Sequence, residues 1–337
     1  MMDTNPVPKE VKIVALAGGV GGAKLAHGLA QNIPAHNLTI VVNVGDDFEH
    51  FGLKICPDLD TVCYTLAGLA NPITGWGLEG ESFNVLQAAE GLGGPAWFKL
   101  GDRDLATHLE RTRRLRLGQT LSQITADFCR AWAVETRVLP ATDYMVPTLV
   151  HTPEGILPFQ EYFVHRHCLP KVIGFEFANT STSQPAPGVL DSLSKADLVI
   201  FCPSNPFVSI DPILALPGIR QAMLERGNTG LVAVAVSPII GGQAVKGPAA
   251  KMFTELGVEP SAFAVARHYE GLLDGFIIDQ VDKQWLEPIT ALGITSRITD
   301  TLMTTAGERS RLAADCIHFG LSLTKRLPSV PVQPVGG

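Results

Sequence analysis

Two acidic blocks and one glycine-rich loop contain the residues of this chain that are best suited to chemistry. Asp46 lies in the run NVGDD and Asp60 lies in the run PDLDT, while four glycines fall within residues 18–22. If the fold brings Asp46 and Asp60 together over the glycines, their hard oxygen ligands would suit a Mg²⁺ ion that carries a diphosphate. The two carboxylates are therefore a candidate metal site.

Each of these acidic residues also has an ordinary structural explanation. Asp58, which follows Pro57, is suited to be the N-cap of a helix, and Asp60 would then lie in the first turn, where a carboxylate suits the helix dipole. Asp46 and Asp47 could be turn residues after a glycine. The residues alone leave both explanations open.

The glycine loop lies between an apolar strand pattern, VKIVALA, and an apolar helix pattern, AKLAHGLA. Such a strand-to-helix turn can present backbone N–H groups and a helix dipole to a phosphate. A P-loop would require Gly-Lys-Ser/Thr where this chain has Ala-Lys-Leu, and the dinucleotide fingerprint requires a small residue at Lys24. The loop alone therefore fits a phosphate site and a merely tight turn equally well.

Strand-like and helix-like patterns alternate along the chain. Strands are predicted over residues 11–17, 38–44, 96–100, 197–203, 231–237 and 275–279, and helices over residues 23–30, 58–69, 103–114, 121–133 and 309–325. This alternation implies parallel strands with crossover helices. We therefore predict one α/β domain over residues 1–337, built on a doubly wound, mainly parallel Rossmann-like sheet with helices on both faces.

Residues 140–177 depart from that alternation. The segments PTLVHT and ILPFQEYFV have period-two patterning and flank the turn PEG, which predicts a β-hairpin rather than another βα unit. We expect this accessory insertion to cover the site. His165 and His167 would share one strand face, although such a pair without a third ligand is more often a polar edge than a metal site. A loose tail is predicted from Leu327.

Composition excludes several classes of protein. With 33 acidic and 26 basic residues and no basic tract, the chain lacks the charge pattern of a nucleic-acid binder. The run RTRRLRLG at residues 111–118 is typical of a solvated helix face, although it could also attract an anionic substrate. No apolar run approaches a membrane span and the first ten residues lack a secretory h-region, so we expect a cytoplasmic protein without membrane contact. The six scattered cysteines are expected to be buried free thiols.

Several blocks together resemble the 2-phospho-L-lactate transferase family of coenzyme F-420 biosynthesis, particularly its bacterial members. The matching stretches run in order over nearly the whole chain: AGGVGGAKL, VVNVGDDFEHFGLKICPDLDTVCYTLAG, GWGLEGESFNVL, WFKLGDRDLATHLERTRRLRLGQTLSQIT, FQEYFV, PSNPFVSIDPIL, SPIIGGQAVKGPA and TDTLMTT. A resemblance of this extent is far more specific than the glycine loop alone.

This resemblance implies a transfer reaction. Members of the family move a phosphorylated three-carbon acid from a guanosine-diphosphate-type donor to the terminal ribityl hydroxyl of the deazaflavin alcohol Fo, and GMP leaves. Splitting a diphosphate depends on charge neutralisation more than on covalent catalysis. The implied partners are Fo and a GDP-linked phospho-acid, the implied cofactor is Mg²⁺, and the implied assembly is a homodimer.

The resemblance also implies roles for individual residues. Asp60 and Arg103 are expected to contact Fo, and Asp60 and Asp46 are expected to be the catalytic carboxylates and the metal ligands. Nucleotide and phosphate contacts are expected from Gly18, Gly19, Gly21, Gly22, Lys24, Ser204, Asn205, Gly241 and Lys246.

Three questions stay open at this point. Residues 139–145 depart from the Pro-Met-Ser-Asp-Asp type of segment familiar in archaeal members, so the transferred acid could be 2-phospholactate, phosphoenolpyruvate or 3-phosphoglycerate. A related glycine-loop protein of the gluconeogenesis-factor type would bind a nucleotide sugar as a regulator, but it should lack the block GDRDLATH. An NAD-dependent dehydrogenase would use Asp46 or Asp47 to bind ribose, although Lys24 breaks its fingerprint.

Overall fold

The computed structural model of the chain describes residues 10–225 and 230–324, and the tail predicted from Leu327 lies outside them. The strands are β1 (Ile13–Ala17), β2 (Leu38–Val42), β3 (Phe48–His50), β4 (Leu53–Ile55), β5 (Arg137–Pro140), β6 (Thr148–Thr152), β7 (Gly155–Pro158), β8 (Gly174–Phe177), β9 (Leu198–Phe201), β10 (Val232–Val236), β11 (Ile239–Ile240), β12 (Gln243–Ala244), β13 (Gly275–Asp279) and β14 (Thr295–Thr299). The helices are α1 (Gly19–Asn32), α2 (Pro57–Leu66), α3 (Asn84–Gly91), α4 (Asp102–Arg116), α5 (Leu121–Ala131), α6 (Val189–Ser194), α7 (Asp211–Leu214), α8 (Ile219–Leu224), α9 (Ala249–Glu255), α10 (Ala262–His268), α11 (Leu286–Ala291) and α12 (Ala306–Thr324).

A seven-stranded sheet forms the centre of the fold, in the order β14-β13-β10-β9-β1-β2-β5. Every neighbouring pair in it is parallel. Strands β1, β10 and β13 are buried at every residue, as parallel strands covered on both faces by helices should be. The predicted doubly wound, Rossmann-like α/β fold is confirmed.

The order of the strands reverses between β1 and β9. From β1 the chain proceeds to β2 and β5 on one side, and it later returns to β9, which pairs with β1 on the other side. Ligands of open α/β sheets bind at the carboxyl ends of the strands at such a reversal. Because the glycine loop follows β1 and residues 202–205 follow β9, the topology brings these two blocks together.

Most predicted strands of the main sheet are present, as are most of the predicted helices, with small shifts of their boundaries. The edge strands β5 and β14 have no predicted counterpart, because β5 is short and ends at Pro140, and β14 reads TSRIT without an apolar run. The strand predicted over residues 96–100 is wrong. In this segment Phe98 and Leu100 instead pack in a small apolar cluster beside the main core.

The accessory insertion is a three-stranded antiparallel sheet in the order β7-β6-β8. Thr152 lies opposite Gly155 at the turn between β6 and β7, as the hairpin pattern predicts. Two details of the prediction are wrong: Pro140 belongs to the main sheet, and residues 161–165 form a helical turn instead of an extended arm. His165 and His167 therefore do not share a strand face.

The cysteines agree with the prediction of buried free thiols in all but one case. All six cysteines are free thiols, and five are buried, with Cys168 partly exposed. Within residues 10–225 and 230–324, no helix has the length and apolar character needed to cross a membrane.

Candidate active site

The glycine loop is held tightly against the block that follows β9. A Cβ atom on Gly21 would collide with the carbonyl oxygen of Pro203, and one on Gly22 would lie 2.6 Å from Oγ of Ser204. The Ser204 hydroxyl donates to the carbonyl of Gly18 at 2.8 Å and accepts from the N–H of Gly18 at 3.1 Å. Ser204 therefore positions the loop, and its hydroxyl proton is not free for the phosphate contact predicted from the sequence.

We expect Gly21→Ala to lower the free energy of unfolding by about 1–3 kcal/mol, because the new methyl group overpacks a backbone contact that cannot yield easily. Urea denaturation measures this change. The matched control is Gly91→Ala, since a Cβ there meets nothing within 4 Å, and it should change the stability by less than about 0.5 kcal/mol. Equal stability of the two variants would contradict the tight contact at Pro203.

A cavity of 740 Å³ lies at the carboxyl ends of β1 and β9. Most residues predicted for the site line it, namely Gly18, Gly19, Gly21, Lys24, Asp46, Asp60, Ser204, Asn205 and Lys246. Three do not belong to the described lining. Gly22 is buried behind the loop, and the N–H of Gly241 donates to Asp282.

Arg103 is the third predicted residue outside the lining. It is exposed, its backbone N–H donates to the carboxylate of Glu81, and its guanidinium donates to the carbonyl of Glu79 at 2.7 Å. These contacts attach the first turn of α4 to the loop before α3. A contact between Arg103 and Fo stays a prediction.

Asp46 and Asp58 form a pair of buried carboxylates on the cavity wall. Burial, with the charge of Asp58 as the next cause, raises the pKa of Asp46 well above its usual value. Burial also raises the pKa of Asp58 to about 6, although a hydrogen bond from Asn43 at 2.9 Å opposes this rise. Among the described residues, Oδ1 of Asp46 has no hydrogen-bond partner. A divalent cation would satisfy this excess of buried negative charge.

Asp58 is not the N-cap of α2, contrary to the ordinary explanation given above. The helix begins at Pro57 with Cys56 in the capping position, and both Asp58 and Asp60 lie in the first turn. The side chain of Asp58 accepts a hydrogen bond from Asn43, which follows β2. The carboxylate therefore joins the first turn of α2 to the segment after β2 rather than capping its own helix.

Between pH 4 and pH 6 we expect the metal-free protein to lose stability through Asp58. Because its pKa is higher in the folded state, the folded protein binds more protons than the unfolded chain, and the free energy of unfolding falls as pH rises through this window. Two pKa units correspond to at most about 3 kcal/mol. Thermal unfolding of Asp58→Asn across the same pH values should show a smaller decline than wild type. Parallel curves would contradict the raised pKa.

Asp60 belongs to a second network, which joins α2 to α4. The Arg111 guanidinium binds both carboxylate oxygens of Asp60, at 3.0 Å through Nη1 and in a shorter contact through Nη2. His108 Nδ1 lies 3.7 Å from Asp60, and His108 Nε2 lies 3.4 Å from Asp104. The hydroxyl of Tyr64 donates to Asp104 at 2.7 Å. These side chains form a buried polar network. Four of them also line the cavity, namely Asp60, Tyr64, Asp104 and His108.

This network also contains a candidate metal site. One ligand atom each from Asp60, Asp104 and His108 lies within 4.8 Å of the others. The set is compatible with a divalent metal, but it differs from the predicted pair, because Asp46 lies beside Asp58 instead. Asp60 is already neutralised by Arg111, which weakens its case as a metal ligand.

Sequence reasoning missed part of this network. Arg111 was expected on a solvated face, yet its side chain is only 2% exposed, whereas Arg113 and Arg116 of the same run are exposed. A usable signal was present, because Asp104, His108 and Arg111 have the i, i+4, i+7 spacing of one helix face.

Two lysines supply positive charge to the cavity. Lys24 Nζ donates to the carbonyl of Met303 at 2.8 Å, and Lys246 Nζ binds the carbonyl of Thr74. Burial lowers the pKa of both amines, and the charge of Arg309 contributes next at Lys24. Both lysines line the cavity, where phosphate oxygens would relieve this positive charge.

Asn205 has a more local role than the one predicted from the sequence. Its side-chain oxygen accepts from the N–H of Phe207 at 3.0 Å and so caps the helical turn at residues 206–210. Its Nδ2 lies 3.3 Å from the sulfur of Met252. Asn205 lines the cavity, and a phosphate contact from it stays a prediction.

Aromatic side chains form a further part of the cavity wall, and they include Tyr64, Trp76, Trp97, Phe98, Phe159 and Phe163. The rings of Phe159 and Phe163 stack with centroids 5.3 Å apart. Trp97 stacks on His165 at 5.1 Å, which joins residues 96–100 to the accessory insertion. The insertion thus borders the same cavity as the glycine loop, in agreement with its predicted position.

Residues 13–301 match the family model described as 2-phospho-L-lactate transferase CofD. The chain belongs to this family. Membership identifies it as a transferase, which decides against both the dehydrogenase and the regulator considered above.

Related proteins agree with the family assignment over nearly their full lengths. A phosphoenolpyruvate transferase from Streptomyces griseus is 43% identical over 315 residues, covering 92% of this chain and 98% of the relative. A phosphoenolpyruvate transferase from Thermobifida fusca is 40% identical over 330 residues, covering 94% and 100%. A solved structure of a UPF0052-family protein from Bacillus halodurans has a TM-score of 0.60 at 16% identity, covers 92% of this chain and 100% of its own, and supports the fold alone.

Proposed function

We propose that this transferase moves phosphoenolpyruvate from a GDP-linked donor to the terminal ribityl hydroxyl of Fo and releases GMP. The acid is the one named for the relatives from Streptomyces griseus and Thermobifida fusca. Phospholactate, which the family model names, and 3-phosphoglycerate are the competing acids. The reaction is a step of coenzyme F-420 biosynthesis.

The composition of the cavity is the observation that carries this proposal. Glycine-loop amides and the amines of Lys24 and Lys246 suit a diphosphate, and an aromatic wall suits the planar ring of Fo. The carboxylates of Asp46, Asp58 and Asp60 lie in the same cavity. One space therefore offers separate surfaces for a nucleotide-linked donor and an aromatic alcohol.

The reaction balances as one exchange at phosphorus. The ribityl oxygen bonds to the phosphorus that carries the acid, the bond from that phosphorus to the bridging oxygen breaks, and GMP leaves with that oxygen. The hydroxyl proton passes to a base. Asp60, held by two bonds from Arg111, is suited to accept a hydrogen bond from the attacking hydroxyl and to orient it.

Asp46 and Asp58 fit a divalent cation better than the predicted pair of Asp46 and Asp60. Both are buried, they repel each other, and one oxygen of Asp46 has no partner among the described residues. We propose Mg²⁺ for this position, since it prefers carboxylate oxygens and substrate phosphates. When bound, the ion would neutralise charge on the diphosphate and on the departing GMP.

The experiment that tests the proposal is an assay with purified protein, Fo and Mg²⁺. Each GDP-linked acid is supplied separately, and mass spectrometry weighs the product while chromatography counts GMP. We expect one GMP per phosphodiester formed, and the fastest reaction with the enolpyruvate donor. Hydrolysis of the donor without formation of a phosphodiester would contradict Fo as the acceptor. A faster reaction with another acid would contradict the enolpyruvate compound as the donor.

The homodimer and the cytoplasmic location rest on the sequence alone and are proposals as well. Light scattering at micromolar concentration should give twice the mass of the chain. A monomer at that concentration would contradict the dimer.

A further inference from the structure

A second, smaller cavity of 280 Å³ adjoins the main one and shares Val20 and Lys24 with it. Its wall comes from α1, from the start of α12 and from the loop after α2. His27 lies one turn beyond Lys24 on α1, and Arg309 faces the cavity from α12. Three basic side chains therefore converge on this space, and only Lys24 among them also has a role in the proposed transfer reaction.

Close packing of the two helices fixes this arrangement. A Cβ atom on Gly28 would collide with the carbonyl oxygen of Arg309, so the helix backbones touch at this point. The Asn32 amide donates to the carbonyl of Gly28 at 2.8 Å and to the carbonyl of Ser310 at 3.0 Å. The backbone that carries His27 and Arg309 is thus held before any ligand binds.

Two of the three basic side chains have a buried nitrogen atom without a partner among the described residues, whereas Lys24 Nζ donates to the carbonyl of Met303. Nδ1 of His27 and Nε of Arg309 are buried atoms without a hydrogen-bond partner in the described part of the chain. Burial lowers the pKa of Lys24, His27 and Arg309, and the charge of Arg309 lowers the first two further. The exposed Glu79 also reaches this cavity, while Glu308 is engaged by Thr304 and Thr305.

We propose that this cavity is an anion-binding site for a phosphate group, held by Lys24, His27 and Arg309. Arg and Lys donors bind phosphate through charge-assisted hydrogen bonds, and a protonated His27 would add a further donor. Because Lys24 faces both cavities, an anion here would also partly neutralise the positive charge of Lys24 at the main cavity. The site would therefore couple phosphate concentration to donor binding.

The experiment uses inorganic phosphate as the probe and the ring signals of His27 in NMR as a local readout, assigned with His27→Gln. Phosphate should raise the pKa of His27 by about one unit, because a nearby anion favours the charged ring. Arg309→Gln should weaken phosphate binding about 10–100-fold, the loss expected for a hydrogen bond to a charged group. Neither donor nor Fo is required, so failure here is distinguishable from failure of the proposed function.

The matched control is Arg311→Gln, which removes the same charge from the same helix. Arg311 binds Asp315 at 3.2 Å and does not belong to the described lining of the small cavity. It should retain phosphate affinity within about twofold. Parallel titrations with GMP and guanosine separate a free phosphate from a phosphate ester. No saturable change at His27, an equal loss in both arginine variants, or a response to guanosine alone would overturn the site.

Discussion

Asp60→Asn should lower the free energy of unfolding by about 3–5 kcal/mol and also abolish transfer. The loss of stability is expected because Arg111 is only 2% exposed and would remain as a buried charge without its carboxylate partner. The loss of transfer is expected because an orienting group typically contributes about 10²–10⁴-fold in rate. Urea denaturation and the rate of GMP release at saturating Fo measure the two effects.

The double variant Asp60→Asn/Arg111→Gln separates these two roles. Removing both charges should restore much of the stability, since no unpaired charge stays buried. If Asp60 orients the ribityl hydroxyl, the double variant should be stable and still inactive. If the double variant recovered both stability and transfer activity, Asp60 would be a structural residue. Its proposed role in orienting the hydroxyl would then belong to Asp46 or Asp58.

Asp46→Asn should reduce turnover with Mg²⁺ by at least about 100-fold and leave Fo binding nearly unchanged. Outer-sphere partners of a metal typically contribute about 10–100-fold, and a direct ligand should contribute no less. The charges of the diphosphate and of GMP would otherwise have to be balanced by lysines whose pKa values are already lowered. GMP release and Fo fluorescence titration measure turnover and binding.

Asp47→Asn is the neighbouring control. Asp47 is also buried, but it pairs with Lys54 at 2.8 Å and is not part of the described cavity lining. Its replacement should cost some stability and leave turnover within about threefold, in the range of a change outside the site. Full turnover of wild type in excess chelator, or equal turnover of the two variants, would end the proposal for a metal at Asp46.

Much of the fold follows from patterns that act over a few residues. Buried parallel strands such as β1 and β10 are continuous apolar runs, and the glycines after β1 mark the turn into a helix. Residues 96–100 show the limit of such patterns, because the segment AWFKL is apolar without being a strand of the main sheet. Its aromatic residues line the cavity and fill a small side cluster, so burial there does not require strand pairing.

The sequence predicts which segments form the site, but it does not predict which side chains contact each other there. The sequence marks Asp46 and Asp60 as candidate carboxylates, yet their partners come from distant segments. Asp60 is neutralised by Arg111 on α4, and Asp46 lies beside Asp58, which appeared to be only a helix cap. Which carboxylate meets which cation depends on how α2 and α4 pack, and local spacing does not specify this packing.

The hydroxyl of Ser204 has a consequence for the energetics of recognition. By binding both backbone groups of Gly18, it removes conformational freedom from the glycine loop when the chain folds. Ordering a flexible loop at the moment of binding would subtract about 1–2 kcal/mol of affinity for each residue fixed. A preorganised loop avoids that entropy loss, so that its contacts with a diphosphate can appear in full as affinity for the donor.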